Sequence, residues 1–520
     1  MKKMKRIVAL LSCVCILASI AAGCSKKTSQ VVSDIDISEL GDTGGIELPI
    51  TDEEVEISAF VVSSVSDLEN KFFLDALRKI TGVSVKPIVV SGDTAQQKLQ
   101  LLAAGKKLPD IACNYFQMKD INDLGMNGAL VNINENIDKM PNIKKLYFET
   151  EENKRVLSDY ASPDGNMYIV PSYGIARDIN HLFMYRKDIF DKLGIEPWTD
   201  SESFYNALKK IKEAYPDSIP FSSKLQFDLL RYFANQWGME FDLDAYYNKE
   251  TGKWEYAGTS DRMKEMLDFV KKLYDEKLFD PEFLTNTSQG WSAKMTTDKS
   301  FVTFDWVDRM DMFKAQTATT IPDFDLQPGY PIGTDKTYTP MDPIGGINFF
   351  IANNKNSEIS MKLVDFLMSE AGSKLATVGL QGQTYNYDEN GKVKYIGYED
   401  GSATIASLEE EYGLFTQGIA VRYNPECVYF QFTERTQIAQ DLVNEKDLVR
   451  TIYPKINMNE DADRYNELYS TLYKEFQEFA SKYIMGSSDV SWDKWLEEAK
   501  GFGSDEFASL IQKHAGEQTR

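Results

Sequence analysis

The spacing of apolar positions between Val55 and Cys113 changes repeatedly, and each change marks an element. The run Glu56-Ile57-Ser58-Ala59-Phe60-Val61-Val62 is too short for a membrane span and rich in strand formers, which predicts a buried strand. Phe72, Phe73, Ala76, Leu77 and Ile80 then recur at helical spacing until Gly82 stops them. Val83–Val90 predicts a second strand. Asp93 and Gln96 form a capping-box pattern for a second helix, with Leu99, Leu102 and Ala103 on its apolar face and Gly105 at its end. Pro109–Cys113 predicts a third strand. Strand, helix, strand, helix, strand is a βαβαβ unit with right-handed crossovers. Ligands of open parallel sheets gather beyond the carboxyl ends of the strands. Those ends carry Ser63 to Asp67 and Asn114 to Gln117, which are small, polar or aromatic.

Farther along, Gly165–Gly174 reads as a turn feeding a strand, and His181–Arg186 as another strand. Thr199 with Glu202 predicts a capped helix whose core face is Phe204, Leu208, Ile211 and Tyr215. Asn390-Gly391 predicts a hairpin, and Tyr465, Leu468, Leu472, Phe476 and Phe479 line one face of a C-terminal helix. A chain of 520 residues exceeds one ordinary core, so the expectation is two α/β lobes.

Charge narrows the partners. The net charge is −23, and removal of the four basic residues that precede Ile7 takes it to −27. Such a polyanion excludes nucleic acid and anionic lipid head groups as partners. Two histidines, His181 and His514, leave little room for zinc sites or histidine-based triads. Asp323, Asp325 and Asp335 lack an EF-hand pattern and Asp242-Leu243-Asp244 is too thin a cluster, so neither a metal nor a cofactor is expected. Lys2, Lys3, Lys5 and Arg6 before an apolar run from Ile7 to Ala22 describe an export signal over residues 1–23. An uncleaved single-span anchor is the alternative. Residues 24–51, poor in aromatics, read as a flexible tether. Cys113 and Cys427 remain in the mature chain, either as one bridge or as two separate buried thiols.

Ala21-Ala22-Gly23-Cys24 resembles a bacterial lipobox, with Ala21 where such boxes usually carry Leu. The resemblance implies cleavage before Cys24 and acylation of its thiol. Leu99 to Ile111, Gly165 to Pro171, Met184 to Gly194, Pro197 to Phe204, Met263 to Phe283 and Ser300 to Trp306 together resemble the extracellular solute-binding proteins, family 1. The likeness continues through Gly345 to Leu375, Gly379 to Tyr385, Tyr483 to Gly486 and Trp492 to Trp495, as in the large Gram-positive branch. These are lipoprotein receptors of carbohydrate-import ABC transporters. The resemblance implies a two-lobe, periplasmic-binding-protein-like (type II) α/β fold with hinge strands between the lobes. It implies a monomer, lipid-anchored at the extracellular face of the cell membrane, that passes a sugar or oligosaccharide to ABC permease subunits. The other readings are the same fold with a peptide or small polar solute, and a secreted carbohydrate-active enzyme using two carboxylates.

The expected boundaries are 52–172 with 298–343 for lobe 1, and 173–297 with 344–520 for lobe 2. A sugar needs flat aromatic surfaces for its C–H faces and short-range hydrogen-bonding groups for its hydroxyls. Trp306, with Asp305 beside it, is the leading platform, since in the resembled family aromatics after this strand face the cleft. Trp237 is the matching candidate, with core packing as its alternative. Ser64, Asp67, Asn114 and Tyr115 supply polar groups, Asp67 also as a helix cap. Tyr173, Arg177 and Asp178 either grip a hydroxyl or brace the hinge, and Tyr385 is a rim candidate. No catalytic residue is assigned.

Overall fold

The computed structural model describes residues 35, 40–116, 118–162, 164–450, 452, 456 and 458–515. The expected signal segment, Cys24 and Gln117 lie outside the described residues. Twelve strands occur among those described: β1 (Val55–Val62), β2 (Val83–Val90), β3 (Ile111–Cys113), β4 (Val170–Tyr173), β5 (His181–Arg186), β6 (Ala245–Asn248), β7 (Lys253–Tyr256), β8 (Val302–Trp306), β9 (Leu326–Pro328), β10 (Ile344–Ile351), β11 (Tyr385–Tyr387) and β12 (Val393–Tyr395).

The first body is a five-stranded sheet in the order β2-β1-β3-β10-β4. β1 runs parallel to β2 from Val55↔Val83 to Val62↔Val90, and parallel to β3 at Ala59↔Ile111. β10 lies antiparallel between β3 and β4. The Phe72–Thr81 helix buries Phe72, Phe73, Leu74, Ala76, Leu77 and Ile80 against this sheet. Each large side chain so buried contributes on the order of 2 kcal/mol. Its stop is Gly82 at φ 74°, where an added Cβ would come within 2.3 Å of the Thr51 carbonyl oxygen, so only glycine ends the helix here without strain.

The second body is built on the antiparallel sheet β8-β5-β9. Phe183 anchors its core with Trp198, Phe204, Phe221, Phe233 and Phe304 all in ring contact. The Ala462–Ile484, Trp492–Gly501 and Ser504–Ala515 helices close it from outside, with Phe479 stacked on Trp495 at 4.9 Å.

Two separate apolar cores result. One draws on Leu40 to Val170 and Ile344 to Cys427; the other draws on Ile179 to Tyr338 and Ala439 to Ala515. The chain therefore crosses three times, after Tyr173, between Tyr338 and Ile344, and between Phe430 and Ala439. The expected boundaries need correction. Residues 298–343 belong with the second body, because Val302–Trp306 pairs with β5 from Tyr185 to His181. Residues 344–430 return to the first body, because β10 enters the sheet between β3 and β4, whereas the C-terminal helices stay with the second body as expected. An apolar strand pattern announces burial but does not name the neighbouring strand.

The tether is also shorter than expected. Leu40 is buried in the first core, the Asp42 carbonyl accepts from Ala371 N at 3.0 Å, and Ile50 N donates to Thr81 O at 2.9 Å. The helix expected to start at Thr199 is capped one residue later, by Asp200, whose carboxylate accepts from Ser203 N at 2.8 Å.

Candidate ligand-binding site

β8 ends on Trp306, and its cross-strand partner is His181, the first residue of β5 after the first crossing. This register puts the indole at the crossing end of the second sheet. Trp306 is 42% exposed, whereas Trp198, Trp237, Trp291 and Trp495 are all at or below 2%. Its ring meets the His181 imidazole edge-on at 5.4 Å and 75°. His181 in turn stacks on Tyr232 at 4.4 Å, with Nε2 3.2 Å from the Tyr232 hydroxyl. Trp306 is thus an exposed flat surface resting on His181, which is itself stacked on Tyr232.

Beneath it, Asp305 is fully buried. One carboxylate oxygen accepts from Arg309 Nε at 2.9 Å. The other lies 3.0 Å from Lys224 Nζ, an ion pair too oblique to count as a hydrogen bond. The Arg309 guanidinium sits 6.0 Å from the Trp306 ring. Burial pushes the His181 pKa down to about 4; Asp305 opposes that shift while Lys224 and Arg309 reinforce it. At neutral pH the imidazole is uncharged and acts as a flat support.

The strand ends of the first sheet are different in kind. Ser64 and Asp67 follow β1 and are exposed, with Asp67 3.3 Å from Lys71 Nζ. Asp67 makes no side-chain capping bond to the short helix that follows, so its expected capping role is not realised. Asn114 and Tyr115 follow β3 and are half-buried. The Asn114 side-chain oxygen accepts from Phe116 N at 2.8 Å, and the Tyr115 hydroxyl accepts from Gln417 Nε2 at 3.0 Å. Gln417 reaches β3 because its backbone bridges Val62 at the end of β1.

Four expected site residues lie elsewhere. Trp237 is 1% exposed and donates from Nε1 to Glu265 at 3.2 Å, so it is part of the second core. Tyr385 is buried in the first core against Tyr387. Arg177 is buried with its guanidinium 3.7 Å from the Tyr429 ring, donates to the Tyr429 carbonyl and lies 3.6 Å from Asp308. Asp178 does not pair with it and accepts instead from Asn444 at 2.7 Å. These two residues brace the crossings. Tyr173 closes β4, with its backbone tied to Val421 and Tyr423.

His181, Tyr232, Lys224, Arg309 and Gln417 escaped the sequence reading. The Asp305–Arg309 spacing of four residues is a signal that could have found Arg309; Lys224 and Gln417 arrive from distant loops and leave none. Cys113 and Cys427 are unpaired, and burial pushes both thiols up to about 12. Among the described residues, Glu460, Asp461 and His514 form a group of metal-ligand types, but Lys513 already bridges the two carboxylates at 3.1 and 2.5 Å. No described helix is long and apolar enough to cross a membrane.

The profile of the family described as bacterial extracellular solute-binding protein matches residues 63–374. Over 97% of both chains, the sequence is 22% identical to the fructooligosaccharide ABC transporter substrate-binding protein FusA of Streptococcus pneumoniae serotype 4 (strain ATCC BAA-334 / TIGR4). It is 20% identical to lipoprotein LipO of Bacillus subtilis (strain 168), over 89% of this chain and 92% of that one. Among solved structures, the alginate-binding protein AlgQ2 without calcium ion superposes with a TM-score of 0.71 at 21% identity, covering 89% of this chain and 98% of that one. FusA of S. pneumoniae in complex with kestose gives 0.66 at 21% identity, over 88% and 98%.

Proposed function

Because this chain belongs to the bacterial extracellular solute-binding protein family, we propose that it is the receptor of an ABC importer and captures a neutral sugar or oligosaccharide between its two bodies. The observation that carries this reading is Trp306, an exposed indole held by His181 beside a buried carboxylate that is already neutralised. A pyranose or furanose ring offers an apolar face to such a surface. Ser64, Asp67, Asn114, Tyr115 and Gln417 then supply donors and acceptors for hydroxyls from the opposite body. The similar protein AlgQ2 is an alginate-binding protein and FusA is known in complex with kestose, which supports the sugar class. Micromolar affinity is roughly −8 kcal/mol, within reach of one stacked ring and several buried hydrogen bonds.

Calorimetry against a panel of neutral and acidic oligosaccharides tests the proposal. Binding of at least one member, weakened by Trp306→Ala, is expected; a folded chain that binds no member overturns it. We read Cys24 as the acylated anchor that holds the receptor beside its permease. Incorporation of labelled palmitate in a bacterial host, lost in Cys24→Ser, is the expected outcome.

A further inference from the structure

Beside Trp306 the second body carries a carboxylate that folding leaves unused. β8 ends at Trp306, and one further cross-strand bond follows, from Val307 N to the Asn180 carbonyl at 2.9 Å. Asp305 and Val307 are both 0% exposed, whereas Trp306 and Asp308 are exposed. This alternation puts the indole and the Asp308 carboxylate on the same open side of the chain, two residues apart. Two residues of extended chain span roughly 7 Å, about the width of one sugar ring.

The Asp308 side chain is 50% exposed. It precedes the Arg309–Thr317 helix but makes no capping bond to it. Its partner is Arg177, with Nη1 3.6 Å away, an ion pair longer than a hydrogen bond. The carboxylate thus remains able to accept from a solute. Arg177 itself is fixed. It is 8% exposed, its guanidinium lies 3.7 Å from the Tyr429 ring and 5.2 Å from the Phe432 ring, and Nη1 donates to Asn180 Oδ1 at 3.3 Å. Its carbonyl accepts from Met341 N at 2.9 Å. Arg177 belongs to the first crossing, Met341 to the second and Phe432 to the third, so the cation behind Asp308 is held by all three. Thr433 of the third crossing also donates to Asp311, in the first turn of the helix that Asp308 precedes.

We propose that Asp308 is a solute-binding residue: a sugar ring lying on Trp306 donates hydroxyls to its carboxylate, and Arg177 is the positioning residue that aims it. This rests on the sugar-receptor reading above and adds the hydroxyl-reading group of the second body. An ionised carboxylate only accepts, with two oxygens side by side, so it suits two neighbouring hydroxyls and gives charge-assisted bonds. An acidic sugar presenting its own carboxylate there would meet like charge, so Asp308 favours neutral rings.

The test uses the full mature chain with kestose, maltotriose, cellotriose, chitobiose and the acidic trigalacturonate, measured by calorimetry. For the neutral probe that binds the parent most tightly, Asp308→Ala is expected to weaken binding about ten-fold or more, with Tm nearly unchanged because the side chain is exposed and caps nothing. Arg177→Lys is expected to weaken binding about three-fold in the parent and no further in Asp308→Ala, because residues that act through one another are not additive. If Arg177→Lys does not fold, Tyr429→Leu, which removes the ring against the guanidinium, takes its place. An Asp308→Ala variant that binds as tightly as the parent, while Trp306→Ala binds weakly, removes the carboxylate from the site and leaves the receptor. Equal losses from Arg177→Lys on both backgrounds make Arg177 a brace of the crossings alone. Tightest binding of trigalacturonate overturns the preference for neutral rings. A folded parent that binds no probe removes the sugar reading and the role of Asp308 with it.

Discussion

The two bodies end their central strands with opposite chemistry. The second presents aromatic rings stacked on one another, with Trp306, His181 and Tyr232 fixed over the Lys224–Asp305–Arg309 cluster. The first presents short polar side chains at strand ends, where Gln417 bonds to Tyr115 and Cys113. The contrast teaches that one body carries a preformed aromatic surface, while the other carries directional hydrogen-bonding groups. A site of this design holds solute by area on one side and reads it by hydrogen bonds on the other.

Removing the base of the platform should have the largest effect. Asp305→Asn leaves two cations beside a fully buried neutral amide, and unfolding in urea should show a loss of about 3 kcal/mol. An unchanged midpoint would mean that the cluster braces nothing. Trp306→Ala should cost about 2 kcal/mol of binding, roughly thirty-fold in Kd by calorimetry, with little change in stability. Equal losses in binding and stability would make the indole a core residue rather than a surface.

The platform should also be sensitive to acid in a defined window. The folded pKa of His181 is lowered from 6.5 to about 4. Between those values the unfolded chain binds a proton that the folded chain lacks, so this group's contribution is intact above pH 6.5 and is lost as pH falls toward 4. The charged groups around it, Asp305, Lys224 and Arg309, do not reverse that sign. The expected loss is on the order of 1–2 kcal/mol, seen as a fall in Tm that His181→Asn abolishes relative to the parent. Burial drives Asp244 the other way, its pKa raised to about 6, so the difference between the two chains, rather than the parent's profile, is the measurement.

On the first body the effects should be smaller. Tyr115→Phe removes the acceptor of the Gln417 amide and should weaken binding by about 1 kcal/mol with stability nearly unchanged. The exposed Lys119–Asp463 pair joins the two bodies at 3.6 Å. Lys119→Ala should alter affinity by less than about 1 kcal/mol, and by still less in high salt.

The sequence was informative where one element explains itself. The strand and helix alternation from Val55 to Cys113 appears in the structure with its Gly82 stop, and Trp306 was legible as an aromatic following a strand. What it did not convey was partnership. Val302–Trp306 has the same apolar pattern whichever sheet it joins, so its assignment to the first lobe failed at the pairing with β5. Trp237 and Tyr385 fit a loop-rim reading by neighbours in sequence, yet burial by distant segments puts them in the two cores. Lys224, Tyr232 and Gln417 have no local mark at all. They matter because the fold delivers them from other parts of the chain.

The three crossings bear on the order in which the protein can take shape as an exported chain reaches the outer face of the membrane, amino end first. The first body has its full set of core residues once Cys427 has been made. The second, begun at Ile179, must wait for residues up to Ala515. Until the last helices arrive, the body that carries Trp306 lacks part of its core, and shortening them should harm the platform before it touches the β1–β3 unit.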